Sequence, residues 1–387
     1  MAGKLPKTPK NSEKRALPLG GVRVLDLSRV LAGPFATQIL GDLGADVIKI
    51  ESPKGDETRQ WGPPYWHETS AYFLSANRNK RSFTADLKNE NDREAILALL
   101  KSADVLIENF KVDSLKKFGL DFESLRLRFP KLIYCSITGF GQTGPLAHHA
   151  GYDLMIQAMS GLMSITGADA SHPTKVGVAV SDLTTGLYAV IAILAALRER
   201  ENSGLGQRCD LGLYDCQISL LSNVAMNFLT SRKVPEPRGN QHPSIVPYLG
   251  LKTRDGRMLT IAVGNDAQFA DLCAALETNW SSDARYAGNP KRVENRDSLV
   301  GLLEKKILER DLKDWIKIFE KHHFPYGPVA KLDEVEAHAQ TKAREIFRTL
   351  DDAKTPTISS PLRFSRTPIG KYSVVKSPEK IADATWK

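Results

Sequence analysis

The sequence lacks most of the signatures that mark the common enzyme classes. Its four cysteines, Cys135, Cys209, Cys216 and Cys273, form no Cys-x-x-Cys pair. A disulfide framework is therefore not expected, and a reducing compartment fits better. The longest unbroken apolar run, Leu187 to Leu197, falls well short of the roughly 20 residues that cross a bilayer, so no membrane partner is expected. A Walker lysine loop, an HExxH helix and a GxSxG elbow are all absent. ATP-driven phosphoryl transfer, zinc proteolysis and elbow-type serine hydrolysis lose their sequence support. The histidine pairs His148-His149 and His322-His323 stand without a carboxylate cluster, and sequence neighbours rarely face one ion; no metal is expected.

Net charge is also nearly absent from the body of the chain. The 387 residues carry a net +8, with a pI near 9.1, which taken whole suggests a nucleic-acid or membrane partner. Residues 1–20 hold +4 of it and residues 354–387 hold +5, which leaves −1 for residues 21–353. A neutral body gives nucleic acid no support. The stretch KLPKTPKNSEKR in the first 20 residues is basic, but Pro6 and Pro9 spoil an amphipathic helix. It reads as a flexible tail or as the remnant of an organelle-targeting segment.

What is present is ordinary globular composition, 42% hydrophobic and 25% charged, in a length that suggests two or three domains. Val22–Leu27 reads as a strand, Ala32-Gly33-Pro34 as a turn into a helix over 35–43, and Asp46–Glu51 as a second strand. That is a βαβ unit, and the alternation continues. Asp92–Leu100 and Phe122–Arg128 read as helices, Ala103–Glu108 and Lys131–Ile137 as strands. The series predicts an α/β fold with a doubly wound, mainly parallel open sheet. Residues 152–164, Thr184–Arg200 and Cys216–Ser231 read as helices, the middle one so apolar that full burial is expected. After a Pro-containing linker over 232–239 come a hairpin around Asp255-Gly256 and helices near 267–276, 296–308 and 312–321, an α+β block. The last 35 residues hold four prolines and no period, and are expected to be extended or loosely ordered.

The turn after the first strand is where such folds bind phosphates, but it carries no GxGxxG, so a nicotinamide site is disfavoured. Asp182, in VSDLTTG, has two readings on spacing alone. One is an N-cap of the following helix. The other is a carboxylate nucleophile at the junction of a strand and a buried helix, which needs no general base because it is already ionised.

The ordered motifs LDLSRVLAGPFATQILGDLGADVIKIE, NRNKRS, ADVLIENF, SITGFGQTGP, AGYD, GLMSITG and VSDLTTGLYAVIAILAAL resemble the class III CoA-transferase family. GNQHPSIVPY, GNDAQFADLCAAL and FPYGPVAKLDEV extend the resemblance, which runs from about residue 17 to about residue 362. It implies a homodimer of interlocked rings, a tail over 1–20, a large CoA-binding domain over 21–231 with 326–387, and an inserted smaller α+β domain with its linker over 232–325. It implies coenzyme A thioesters as substrates and no permanently bound cofactor. Asp182 matches the family's catalytic aspartate. Val30, Leu31, Ala32, Lys88, Asn109, Phe110, Lys117 and Tyr152 match CoA-contact positions, while Ser52 and Ala150 stand where formyl-CoA transferase has basic residues. Gly239, Gln241 and His242 lie in the stretch that matches its mobile loop. Arg78 is a candidate partner for a substrate carboxylate, as is His242.

Tyr152 stands where racemases of this family carry a histidine, and a phenol is a poor base, so racemisation is the lesser alternative. SITGFGQTGP and SIVPY resemble the family members that move CoA from succinyl-CoA to a dicarboxylic acid, which implies glutarate or hydroxymethylglutarate as acceptor. The expected location is the mitochondrial matrix, with the cytoplasm as alternative. The family's usual proline-rich C-terminal segment is missing, which keeps an inactive scaffold open as another alternative.

Overall fold

The computed structural model describes residues 17–322 and 324–387. The basic tail expected over 1–20 lies, up to residue 16, outside the described residues, as does His323 of the second histidine pair. The chain divides into two units. The larger comprises Met1–Leu162, Val176–Met226 and Gln340–Lys387, the smaller Met163–Lys175 and Asn227–Ala339.

The larger unit is built on a seven-stranded sheet in which every neighbouring pair is parallel. Across it run Glu379–Lys380, Lys80–Thr84, Asp46–Glu51, Arg23–Asp26, Val105–Glu108, Ile133–Thr138 and Arg208–Gly212. Alternation along the strands makes two cores. Val24, Val47, Val105 and Ile133 face the helices Ala32–Asp42 and Val180–Ser203. Leu25, Ile48, Leu106 and Tyr134 face the helices Glu90–Leu100 and Phe122–Arg128. Burial on both faces is why the central strands read as near-continuous apolar runs.

Several expectations need correction. The long helix runs from Val180 to Ser203, no strand precedes it, and only one side is buried. Ala189, Val190, Ile193 and Ala196 pack inward, whereas Leu187, Tyr188, Ile191 and Leu194 are exposed. By length and composition this helix could cross a membrane, yet its inner side packs against Ala32–Asp42. The two helices cross closely at Gly186, where a Cβ would come within 2.8 Å of the Ala32 carbonyl oxygen. The polar strands Lys80–Thr84 and Arg208–Gly212 were not expected. The C-terminal segment is not loose: Glu379–Lys380 pairs with Phe83 and Thr84, Ile381 is buried, and the Trp386 indole donates to the Leu99 carbonyl at 3.1 Å.

The smaller unit has a three-stranded antiparallel sheet of Tyr326–Pro328, Met258–Ala262 and Tyr248–Lys252. The expected hairpin is present, and Gly256 takes the left-handed conformation its turn requires (φ +78°). Helices Asp266–Ala275, Arg296–Ile307 and Leu312–Lys321 pack on it through Phe269, Leu299, Trp315 and Phe319.

Candidate active site

In the larger unit, successive connections run one way from Arg23–Asp26 and the other way from Val105–Glu108. The loops after these two strands part there and leave a crevice at their carboxyl ends, where open α/β sheets take their ligands. Asn109 ties the two loops together. Its Oδ1 accepts the Arg29 N–H at 2.9 Å and its Nδ2 donates to the Arg29 carbonyl at 2.7 Å. With Arg29 held on both sides, Val30 sits at φ +70°, a conformation rare for a β-branched residue.

A buried ionic network lies under this turn. The Asp26 carboxylate accepts from the Ser28 hydroxyl, from Thr37 Oγ1 at 2.6 Å and from Lys80 Nζ at 3.2 Å. Lys80 also donates to the Pro34 carbonyl at 2.8 Å, and Lys49 to the Ser28 carbonyl at 2.7 Å while pairing with Asp56 at 3.0 Å. Burial, the largest influence, pulls Lys80 down to about 7, and Lys49 close by adds to it. Such charges are retained only when nearly every donor and acceptor is met.

The crevice opens into a cleft of about 360 Å³ whose lining includes Val30, Ala32, Asn109, Phe110, Tyr152 and Asp182. Gly139 and Gly151 let two backbone segments touch in its wall, since a Cβ on Gly139 would fall 2.6 Å from the Gly151 Cα. The spacing GxGxxG does occur over 139–144, but no helix follows it before Asp153, so it is not a dinucleotide fingerprint.

Asp182 is the third residue of its helix and not the N-cap, which is Ala179. The N–H of Ala32, at the start of a second helix, lies close to the Asp182 carboxylate and favours the ionised form. Burial and the nearby Asp153 nevertheless push Asp182 up to about 7. No cation pairs with it among the described residues. A carboxylate without a counterion in a cleft of mainly apolar wall, beside a free N–H, is arranged to attack an electrophilic carbonyl.

The remaining candidates separate. Leu31 is buried as the N-cap of the first helix and does not line the cleft. Lys88 and Lys117 are exposed and also outside the lining, Lys117 lying over the Phe118 ring at 4.9 Å. Ala150 lines the cleft and Ser52 does not. Arg78 is committed elsewhere. Its guanidinium pairs with Asp42 at 2.6 Å, donates to Thr357 Oγ1 and the Ile358 carbonyl, and lies 4.6 Å over the Tyr372 ring. Gly239, Gln241 and His242 belong to the smaller unit. There the Gly239 N–H donates to the Gly167 carbonyl at 2.9 Å, and Arg296 donates to the His242 carbonyl at 3.0 Å.

Arg29, Lys111, Ser114 and His149 line the cleft and were missed. Arg29 and Lys111 directly flank residues already singled out, so the loops after the two switch-point strands were the available signal. Tyr72 was missed as well. Its phenol is pushed up to about 12, by burial first and then by Asp182 and Asp153, which places it near both carboxylates.

The model of CoA-transferase family III matches residues 19–379, and the chain belongs to that family of CoA-transferring enzymes. It is 46% identical over 366 residues to the succinate–glutarate CoA-transferase of Agrobacterium fabrum, covering 92% of this chain and 91% of that one. It is 41% identical over 373 residues to the human succinyl-CoA:glutarate CoA-transferase, covering 96% and 84%. A crystal structure of a CaiB/BaiF family protein from Brucella suis superposes with a TM-score of 0.85 at 46% identity, covering 95% and 97%.

Proposed function

We propose that this class III CoA-transferase moves CoA from succinyl-CoA to a dicarboxylate, with glutarate favoured and hydroxymethylglutarate the alternative acceptor. The observation that carries the mechanism is Asp182, unpaired with any cation among the described residues, in the cleft beside the Ala32 N–H. The names of the Agrobacterium and human relatives support the choice of acids.

In this reading an Asp182 oxygen attacks the succinyl thioester carbonyl. The C–S bond breaks, CoA leaves as thiolate, and a mixed anhydride remains. The thiolate then attacks the aspartyl carbonyl, which releases succinate and leaves an aspartyl-CoA thioester. The acceptor carboxylate attacks that thioester and frees the thiolate, which takes the acceptor acyl group and restores Asp182. Each tetrahedral stage places negative charge on an oxygen, where a fixed N–H such as that of Ala32 stabilises it. The apolar walls of Phe110, Ile137 and Leu213 limit water and so protect the anhydride.

The exposed side of the Val180–Ser203 helix, with Leu187, Tyr188, Ile191 and Leu194, supports a homodimer as the working form. The test is incubation with succinyl-CoA and a panel of carboxylates, followed by chromatography of the CoA esters. Glutaryl-CoA is expected, and Asp182→Ala abolishes it. Transfer to no acid, or full activity in Asp182→Ala, overturns the reading.

A further inference from the structure

Asp153 does not line the cleft, yet one oxygen of its carboxylate is directed at the start of the Val180–Ser203 helix and the other is held within its own helix, Asp153–Met159. Oδ1 accepts the Ser181 N–H at 2.8 Å, and Oδ2 accepts Gln157 Nε2 at 2.7 Å. Gln157 Oε1 in turn accepts the Val176 N–H at 2.9 Å, and Ser181 Oγ donates to Gln217 Oε1 at 2.8 Å. Ser181, Gln157 and Gln217 are fully buried. The residue before Asp182 is thus held through its backbone by Asp153 and through its side chain by Gln217. Asp153 has no rotamer left that would carry its charge away without breaking this frame.

Neither carboxylate has a salt bridge among the described residues. The other ionisable groups on the elements around the helix are spoken for or neutral. Asp42 is paired with Arg78, and burial holds Tyr72, Cys209 and Cys216 in their neutral forms. Asp210 accepts the Gln142 N–H. Asp215 follows on the Leu213–Leu220 helix and acts on Cys216. Of all these, Asp153 is the group whose charge acts on Asp182.

We infer that Asp153 is a positioning residue that loads the nucleophile: it fixes the helix start through Ser181, and its negative charge favours the state in which Asp182 has given up its own. The inference rests on Asp182 being the nucleophile. When Asp182 attacks, a C–O bond forms, the C–S bond breaks, and the charge departs on sulfur. The acyl-aspartate is neutral, so the repulsion present in the free enzyme is released. The same repulsion favours protonation of Asp182, in keeping with its rise to about 7.

The test compares wild type with Asp153→Asn, which keeps an oxygen for the Ser181 N–H and removes the charge. Asp153→Ser is the second uncharged variant, should the asparagine amide disturb Gln157. Two quantities are read: the pH profile of glutaryl-CoA formation, and the fraction of enzyme carrying an acyl adduct by intact mass after rapid quench with succinyl-CoA. The expected result is an acid limb moved down by about one pH unit and an adduct fraction lowered about tenfold, with the KM for succinyl-CoA unchanged. A purely structural role would lower the melting temperature and leave the limb in place. An unmoved limb and adduct fraction in an uncharged variant that folds overturns the inference alone. Absence of any adduct in wild type overturns the nucleophile reading with it.

Discussion

Asn109 grips Arg29 by both of its backbone groups, accepting the N–H at 2.9 Å and donating to the carbonyl at 2.7 Å across the point where the sheet changes direction. The grip joins the loops after the strands Arg23–Asp26 and Val105–Glu108, and it leaves Val30 at φ +70° on the cleft wall. The consequence is a binding prediction. Asn109→Ala frees the turn that borders the cleft and is expected to raise the KM for succinyl-CoA about tenfold with kcat within about threefold, since neither Asn109 nor Arg29 is among the groups that act on Asp182. Stability should fall by roughly 1–2 kcal/mol for two lost hydrogen bonds. Asn109→Asp keeps the acceptor and loses the donor, so steady-state kinetics should place it between wild type and alanine.

Asp182 carries a stability cost whose sign can be worked out. Its folded value, about 7, lies above the ordinary 3.8, so between those values the folded state binds the extra proton. Stability contributed by this group is full below about pH 4 and declines as pH rises to 7. Asp182→Asn has no such decline. It should match wild type in urea unfolding near pH 4 and exceed it at pH 8 by about 2–4 kcal/mol, toward the lower figure because the side chain is partly open to solvent. A gap of equal size at both pH values would contradict this.

How far the sequence revealed the molecule depended on where chemistry and burial agree. Val24-Leu-Asp26 and Val105-Leu-Ile-Glu108 announce buried parallel strands because both faces need apolar residues. Lys80-Arg-Ser-Phe-Thr84 conceals its place in the same sheet, since burial of Lys80 depends on acceptors that include Asp26, 54 positions away, and the Pro34 carbonyl. The exposed side of the long helix was illegible for the opposite reason: apolar content reports the need for cover and not what supplies it. The cleft was half visible. Val30, Asn109 and Phe110 were reached through the family resemblance, whereas Asp153 is joined to the residue before Asp182 by the Ser181 N–H, 28 residues along the chain, which no local pattern encodes.

Arg78 is predicted to matter for stability and not for substrate choice. The Asp42 carboxylate beneath it is buried, and burial holds it above the usual carboxylate range even with the guanidinium beside it. Removing the cation leaves that carboxylate unpaired, so Arg78→Ala should lose about 3–5 kcal/mol by denaturant unfolding. Whatever remains folded should keep its KM for glutarate. The reverse pattern, unchanged stability with a KM raised tenfold, would return Arg78 to the role of carboxylate binder that its sequence motif suggested.

The C-terminal segment gives the last prediction. Glu379–Lys380 covers the outer edge of the Lys80–Thr84 strand, the Ile381 side chain joins the core to which Ile96 and Leu97 belong, and the Trp386 indole reaches the Leu99 carbonyl. The Arg81 guanidinium also donates to the Thr385 carbonyl at 2.6 Å. A chain ending at Ser377 loses all of these together and exposes a strand edge with Phe83 beside it, which favours pairing between molecules. Ile381→Ala removes only the buried side chain and should cost about 2–4 kcal/mol. Truncation should cost more and add aggregation on warming, visible by light scattering below the unfolding midpoint. If the truncated chain melts as wild type does and stays clear, the segment is not part of the folded core.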